Sequence, residues 1–308
     1  MTSFRYHVVS LAAVFLALAV GIVLGSGPLR TSLVSSLGEE VDSLEQQVDD
    51  AQADVETAQA QAVVGTDFAA EVEPFLLGGR LAGQNVALVS VSDPADSRVE
   101  SVRSALVSAG ASVSADVTIE PAWTDSSQGT FRAALADQLA AQLVDVDPAT
   151  TSSDRMLAHA LAQSLAPVEG AASDSSTVLL DLLKQADLVT GTVTSGATAI
   201  VVVSGDGLAD DDARARESDS LANVVGVLDS YVAGTTQAQG EPMTGDLSSA
   251  LRNVPDTAGI STVTEAGTIY GRTAVALALA EQISGGMGHY GAGSDGPLLP
   301  PSMLGAGG

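Results

Sequence analysis

The stretch Ala197-Thr198-Ala199-Ile200-Val201-Val202-Val203-Ser204 decides how this chain folds. It is short, almost wholly apolar and rich in β-branched side chains, and the acidic turn Gly205–Asp212 closes it. That is the pattern of a strand buried on both faces. Gln84-Asn85-Val86-Ala87-Leu88-Val89-Ser90-Val91 repeats it before Asp93-Pro94 turns the chain, Ala111–Ile119 alternates as another strand, and Gly259–Val263 supplies a short one. Helical spacing falls between them, over Val99–Val107, Phe131–Val144, Arg155–Leu165, Thr177–Lys184, Ala213–Ala233, Asp246–Leu251 and Gly271–Ile283. Strands alternating with helices predict an α/β domain over residues 80–284, with a mainly parallel sheet under helical cover. Beyond it, residues 285–308 read as a Gly/Pro-rich tail, extended or disordered.

Upstream, Val8–Gly27 (VVSLAAVFLALAVGIVLGSG) carries no charge. Twenty residues at about 1.5 Å each span roughly 30 Å, the thickness of a bilayer's hydrocarbon core. A cleaved secretory signal is the rival reading, with Arg5 as its basic head and Ala17-Leu18-Ala19 or Val23-Leu24-Gly25 as cleavage sites. The run outlasts a typical signal core of about 7–15 residues, which favours a retained single-pass anchor. Arg5 and the α-amine put residues 1–7 on the cytoplasmic side and the bulk of the chain outside. Within the span, Ala13, Ala17, Gly21 and Gly25 recur every four residues, a small-residue stripe that lets two membrane helices approach closely.

Residues 31–64 hold the most regular pattern of the chain. Val34, Leu37, Val41, Leu44, Val48, Ala51, Val55, Ala58 and Ala62 are spaced alternately by three and four. With Val34 at heptad position a, β-branched residues fill a while Leu37 and Leu44 fill d, the choice of parallel two-stranded coils. A parallel coiled-coil stalk is therefore expected, making a homodimer through span and stalk. Glu39, Glu40, Asp42, Glu45, Asp49, Asp50, Asp54 and Glu56 cover its outer faces, and no base lies between Thr31 and Val64. Two other arrangements satisfy such a helix: folding back on its own domain, or pairing with a basic helix of another protein.

Composition closes off several functions. Acids number 38 against 12 bases, a net charge of −26, so the chain repels nucleic acid. Aromatics are 3% of residues, so the core must be aliphatic. Cysteine is absent, which removes disulfides, thiolate metal sites and thiol catalysis. A G-x-G-x-x-G run, Gly286–Gly291, follows a helix and precedes a Gly/Pro-rich segment, the wrong setting for a dinucleotide loop. With no P-loop, G-x-S-x-G or H-E-x-x-H, no enzyme is expected.

Two places remain for chemistry. Asp206, Asp210, Asp211 and Asp212 crowd the turn after a strand, where a hard cation could sit or where acids simply start a helix. Thioether and imidazole suit copper, and Met156 with His159 and Met287 with His289 are the pairs that offer both. Met287 and His289 are the candidate metal ligands.

Val9–Ala19 (VSLAAVFLALA) with Gly21–Gly27 (GIVLGSG), the heptads after them, the strand at Asn85 and the ending Gly285–Gly291 (GGMGHYG) together resemble the mycobacterial copper transport protein B family. The resemblance implies an actinobacterial envelope protein of copper efflux or tolerance, with copper as the one cofactor it suggests. It also implies an alternative role: an extracytoplasmic scaffold that controls cell separation through a membrane partner and a peptidoglycan hydrolase.

Overall fold

A computed structural model describes residues 3–25, 29–166, 168–170, 174–294 and 296–303, leaving out the side chains of Ser3 and residues 29–39. The chain divides into two units, Met1–Gly65 and Thr66–Gly308.

The first unit holds α1 (Ser3–Gly25) and most of α2 (Leu29–Leu77). From Phe4 to Gly25, α1 is long and apolar enough to cross a bilayer, and every side chain along that stretch is exposed. Ser26 and Gly27, the end expected for the span, lie outside the described residues. Helix α2 runs unbroken through Gly65-Thr66-Asp67 and past Pro74, where the sequence pattern loosens. An interior proline costs about 3 kcal/mol. Burial offsets that cost, because Leu77 at the helix end and Leu81 just beyond are fully enclosed in the core of the second unit.

The second unit is a mostly parallel α/β sheet. In chain order come β1 (Asn85–Val91), α3 (Asp96–Ser108), β2 (Ser112–Ile119), α4 (Gly129–Leu139), α5 (Ser153–Leu165), α6 (Ser175–Gln185) and β3 (Val189–Val193). There follow β4 (Ala199–Ser204), α7 (Asp211–Asp229), β5 (Thr235–Ala238), α8 (Leu247–Asn253), β6 (Ser261–Val263), α9 (Ile269–Ile283) and β7 (His289–Tyr290). Spatially the order is β3-β2-β1-β4-β5-β6-β7, and only the β2–β3 pair is antiparallel.

The apolar runs of β1 and β4 are explained by burial on both faces. Ala87, Val89, Ile200 and Val202 pack into one core layer with α4 to α8, whereas Val86, Leu88, Val201 and Val203 face the opposite layer with α3 and α9. Both layers are aliphatic apart from Trp123 and Tyr290, and all five phenylalanines are at least 47% exposed.

Strands β3, β5 and β7 have no counterpart in the sequence reading. β5 is Thr-Thr-Gln-Ala, polar yet fully buried; its side-chain amide is satisfied, with Gln237 Nε2 donating to Ser204 Oγ (2.8 Å) and Gln237 Oε1 accepting from Ser248 Oγ (2.5 Å). β3 is an edge strand interrupted by Gly191, whose φ of 113° brings it so close to β2 that a Cβ would lie 2.0 Å from the Asp116 carbonyl. β7 falls in the stretch expected to be a loose tail: Thr262 pairs with His289 and Val263 with Tyr290, completing the sheet edge.

Candidate functional site

The strand order creates a switch point. From β1 the chain steps outward to β2 and β3, then returns to the other side of β1 as β4 and steps outward again through β7. Loops leaving the carboxyl ends of β1 and β4 therefore diverge, which is where open α/β sheets hold ligands.

The geometry there is unusual. Ser92 and Asp93, consecutive and both non-glycine, have φ of 54° and 53°. Left-handed backbone at such residues costs about 1–3 kcal/mol each and persists only where surroundings enforce it. Gly205 N donates to the Val91 carbonyl (2.9 Å), and a Cβ on Gly205 would lie 1.9 Å from the Ser92 carbonyl. Only glycine allows the two loops to touch in this way. Ser92 Oγ then donates to Glu217 Oε1 on α7 (3.1 Å).

Between these loops and the end of β2 lies a cavity of about 820 Å³. Its polar lining includes Ser92, Asp93, Glu120, Asp125, Arg216 and Glu217, and its apolar lining Ile119, Leu208 and Leu221. Glu120 accepts from Thr190 Oγ1 (2.7 Å), and Asp125 accepts from Ser127 N (2.8 Å), which together with the Ser127 hydroxyl holds the Asp125 carboxyl below its ordinary range. Glu217 Oε2 is buried with no hydrogen-bond partner.

The acidic turn resolves into separate structural roles. Arg98 on α3 donates to the Ser204 carbonyl (2.7 Å) and to Asp206 (3.2 Å); Asp210 caps α7 by accepting from Ala213 N (2.9 Å); Asp211 pairs with Arg214. Asp210 and Asp211 thus serve the start of α7, while Asp206 ties the turn to α3. Among the described residues no group of three or more His, Cys, Asp or Glu is arranged to hold a metal.

The soft-donor residues sit in different settings. Met156 is buried in the core. His159 Nδ1 sits 2.8 Å from the Tyr231 hydroxyl, with the rings edge to face, and Gln163 Nε2 donates to the same oxygen (3.1 Å). Met287 is 46% exposed on the link from α9 to β7, while His289 lies in β7 with Nδ1 2.9 Å from Thr262 Oγ1. Ala13, Ala17, Gly21 and Gly25 are exposed along α1, and Val41, Leu44, Val48 and Val55 along α2. Val34 and Leu37 are helical, but their side chains lie outside the described residues.

Ser92, Arg216, Glu120 and Glu217 were not singled out by the sequence. Asp93-Pro94 marked a turn, but nothing local tells that β4 returns beside β1, and the site exists only through that return.

The family model of the copper transport outer membrane protein MctB matches residues 1–301. The copper transporters MctB of Mycobacterium tuberculosis and Mycobacterium bovis are 30% identical to the chain over 316 residues, which cover 95% of it and 97% of theirs. That of Mycobacterium leprae is 32% identical over 312 residues, again 95% of this chain and 97% of the relative. The match takes in the apolar helix, α2 and every strand of the sheet, so the chain belongs to the MctB copper transport family.

Proposed function

We propose that this chain serves copper efflux or tolerance as a single-pass protein of the cell membrane, with its α/β domain on the extracytoplasmic side. The observation that carries the reading is a family match running from the apolar helix to the sheet's last strand, with relatives named as copper transporters. Copper is cargo in this reading, met by binding groups rather than transformed by a catalytic one. Met287 and His289 are its contact: a thioether and an imidazole two residues apart, with the imidazole Nδ1 held by Thr262.

A second copy completes the assembly. The exposed small-residue stripe of α1 and the exposed Val41, Leu44, Val48 and Val55 of α2 support parallel pairing.

The test is complementation. A strain lacking the gene should lose copper tolerance and gain cell-associated copper, and the wild-type chain should reverse both. Met287→Ala with His289→Ala should fail to reverse them while accumulating normally. Unchanged tolerance in the deletion strain, with a defect in cell separation alone, would overturn the copper reading in favour of a scaffold.

A further inference from the structure

We infer that the cavity at the β1/β4 switch point binds an organic cation bearing N–H donors, an amine or guanidinium group on an alkyl stem. This inference is independent of the copper role.

Three observations carry it. First, the size fits: about 820 Å³ is a small-molecule volume, far more than one ion requires. Second, the sign fits. Asp93, Glu120, Asp125 and Glu217 line the cavity against Arg216 alone. Asp93 makes no hydrogen bond or ion pair among the described residues, so its carboxylate is uncommitted. Third, Glu217 presents a specific unmet demand. Its Oε1 accepts from Ser92, yet its Oε2 is buried without a partner, and leaving a charged acceptor unsatisfied costs more than an ordinary lost hydrogen bond.

Gly207, in the loop between β4 and α7, lies nearby: a Cβ there would be 3.1 Å from Arg214 Cγ and 3.4 Å from Glu217 Oε2. An incoming N–H donor reaches Glu217 Oε2 as this loop, which Arg214 holds through the Leu208 carbonyl, gives way. Leu208 and Leu221 then contact the alkyl stem while the donor reaches Glu217 and a second charge meets Asp93. A net charge of −26 on the whole chain raises the local concentration of any cation. The metal alternative does not fit, because no metal-holding group of carboxylates and imidazoles forms among the described residues. The same chemistry comes from two sources, a free diamine or a lysine side chain on another protein.

Calorimetry on the full chain in detergent micelles, without copper, tests the site. The probes are 1,4-diaminobutane and Nα-acetyl-lysine amide, with tetramethylammonium at equal ionic strength as a cation lacking N–H donors. Saturable one-to-one binding of an amine probe is expected, about tenfold weaker in Glu217→Gln and in Asp93→Asn. Asp212→Asn, on the exposed start of α7, should bind as wild type does. Circular dichroism and melting temperature of the variants separate lost binding from lost fold. Tighter binding of the acetyl-lysine amide assigns the site to a protein side chain, and tighter binding of the diamine to a free polyamine. Equal affinity in Glu217→Gln and Asp93→Asn, equal binding of tetramethylammonium, or no binding of either amine would overturn the proposal.

Discussion

Glu73, in the last turns of α2, and Arg272, on α9, form a two-pronged ion pair although 199 positions separate them, with Nε to Oε1 at 2.9 Å and Nη2 to Oε2 at 2.7 Å. Thr273 Oγ1 donates to the same carboxylate at 2.9 Å. The Glu73 side chain is 9% exposed and that of Arg272 25%. The pair raises the arginine's pKa, chiefly through the hydrogen bonds to Glu73, and fastens the end of α2 to the sheet's helical cover.

Breaking one side of this pair should be worse than removing both. Arg272→Ala leaves an uncompensated buried carboxylate and should cost about 3 kcal/mol, near the lower end for buried pairs because the arginine is partly exposed. Thr273→Val removes one neutral donor and should cost about 1 kcal/mol. Glu73→Leu with Arg272→Met should recover most of the loss. Urea unfolding of the three variants measures all of this, and a double variant no more stable than Arg272→Ala would show that the pair is not what holds the helix end.

Much of the domain was legible because burial on both faces writes itself as β-branched runs: β1 and β4 could be read directly from Val86–Val91 and Ala199–Val203. The helices were legible through apolar spacing. What escaped was structure held by partners distant in sequence. β5 is polar and buried, with Gln237 satisfied by Ser204 and Ser248, and β7 is Gly-flanked and ordered because β6 offers an open edge. The candidate cleft was illegible for the same reason, since Ser92 meets Glu217 across 125 positions.

His159 should make the domain sensitive to acid. Its imidazole is pushed below the ordinary value of 6.5, first by burial and then by the nearby Arg155 charge. A lowered folded-state pKa means that the unfolded chain binds the proton more readily, so stability rises with pH in this window. The contribution is complete above about pH 6.5, falls as pH drops toward the folded-state pKa, and is flat below it. Urea midpoints between pH 7.5 and 5 should fall in the wild type and flatten in His159→Asn. Parallel profiles for the two would assign the acid sensitivity elsewhere.

Acid should act at a second point, below the histidine window. Burial would push the Asp246 carboxyl up, but the donors Met243 N (3.0 Å), Ser249 N (2.8 Å) and Gln239 Nε2 (2.7 Å), together with the Ser249 hydroxyl, outweigh it and bring its pKa below 3.8. A depressed carboxylate stabilises the fold above its unfolded pKa and loses that contribution as pH falls through the folded one. Asp246→Asn should therefore be less stable than wild type at pH 6, and the difference should shrink below about pH 4. A constant difference across that range would count against the hydrogen-bonded carboxylate as its source.

The topology is checked by labelling. With the head inside and the domain outside, Asp67→Cys should react with a membrane-impermeant thiol reagent in intact cells, and Ser3→Cys only after lysis. The chain has no native cysteine to confuse the result. A mature protein beginning after Ala19 or Gly25 would replace the anchor with a cleaved signal.

Pairing of α2 has a test in which electrostatics distinguishes the two partners it could take. In a parallel homodimer, Val41 at position a faces its own copy, so Val41→Cys should cross-link on oxidation while Glu39→Cys, at the outer f position, should not. Leu44→Asp should weaken the dimer by burying like charges against each other. Glu40 at g and Glu45 at e bring acids together across the seam, and the helix has no base to offset them between Thr31 and Val64. Raising salt shortens the screening length from about 10 Å at 0.1 M to about 3 Å at 1 M. A homodimer should therefore tighten with salt, whereas a complex with a basic helix should loosen. Sedimentation of the full chain in micelles across that range reads the sign directly, and a monomer at every salt concentration would refute the homodimer.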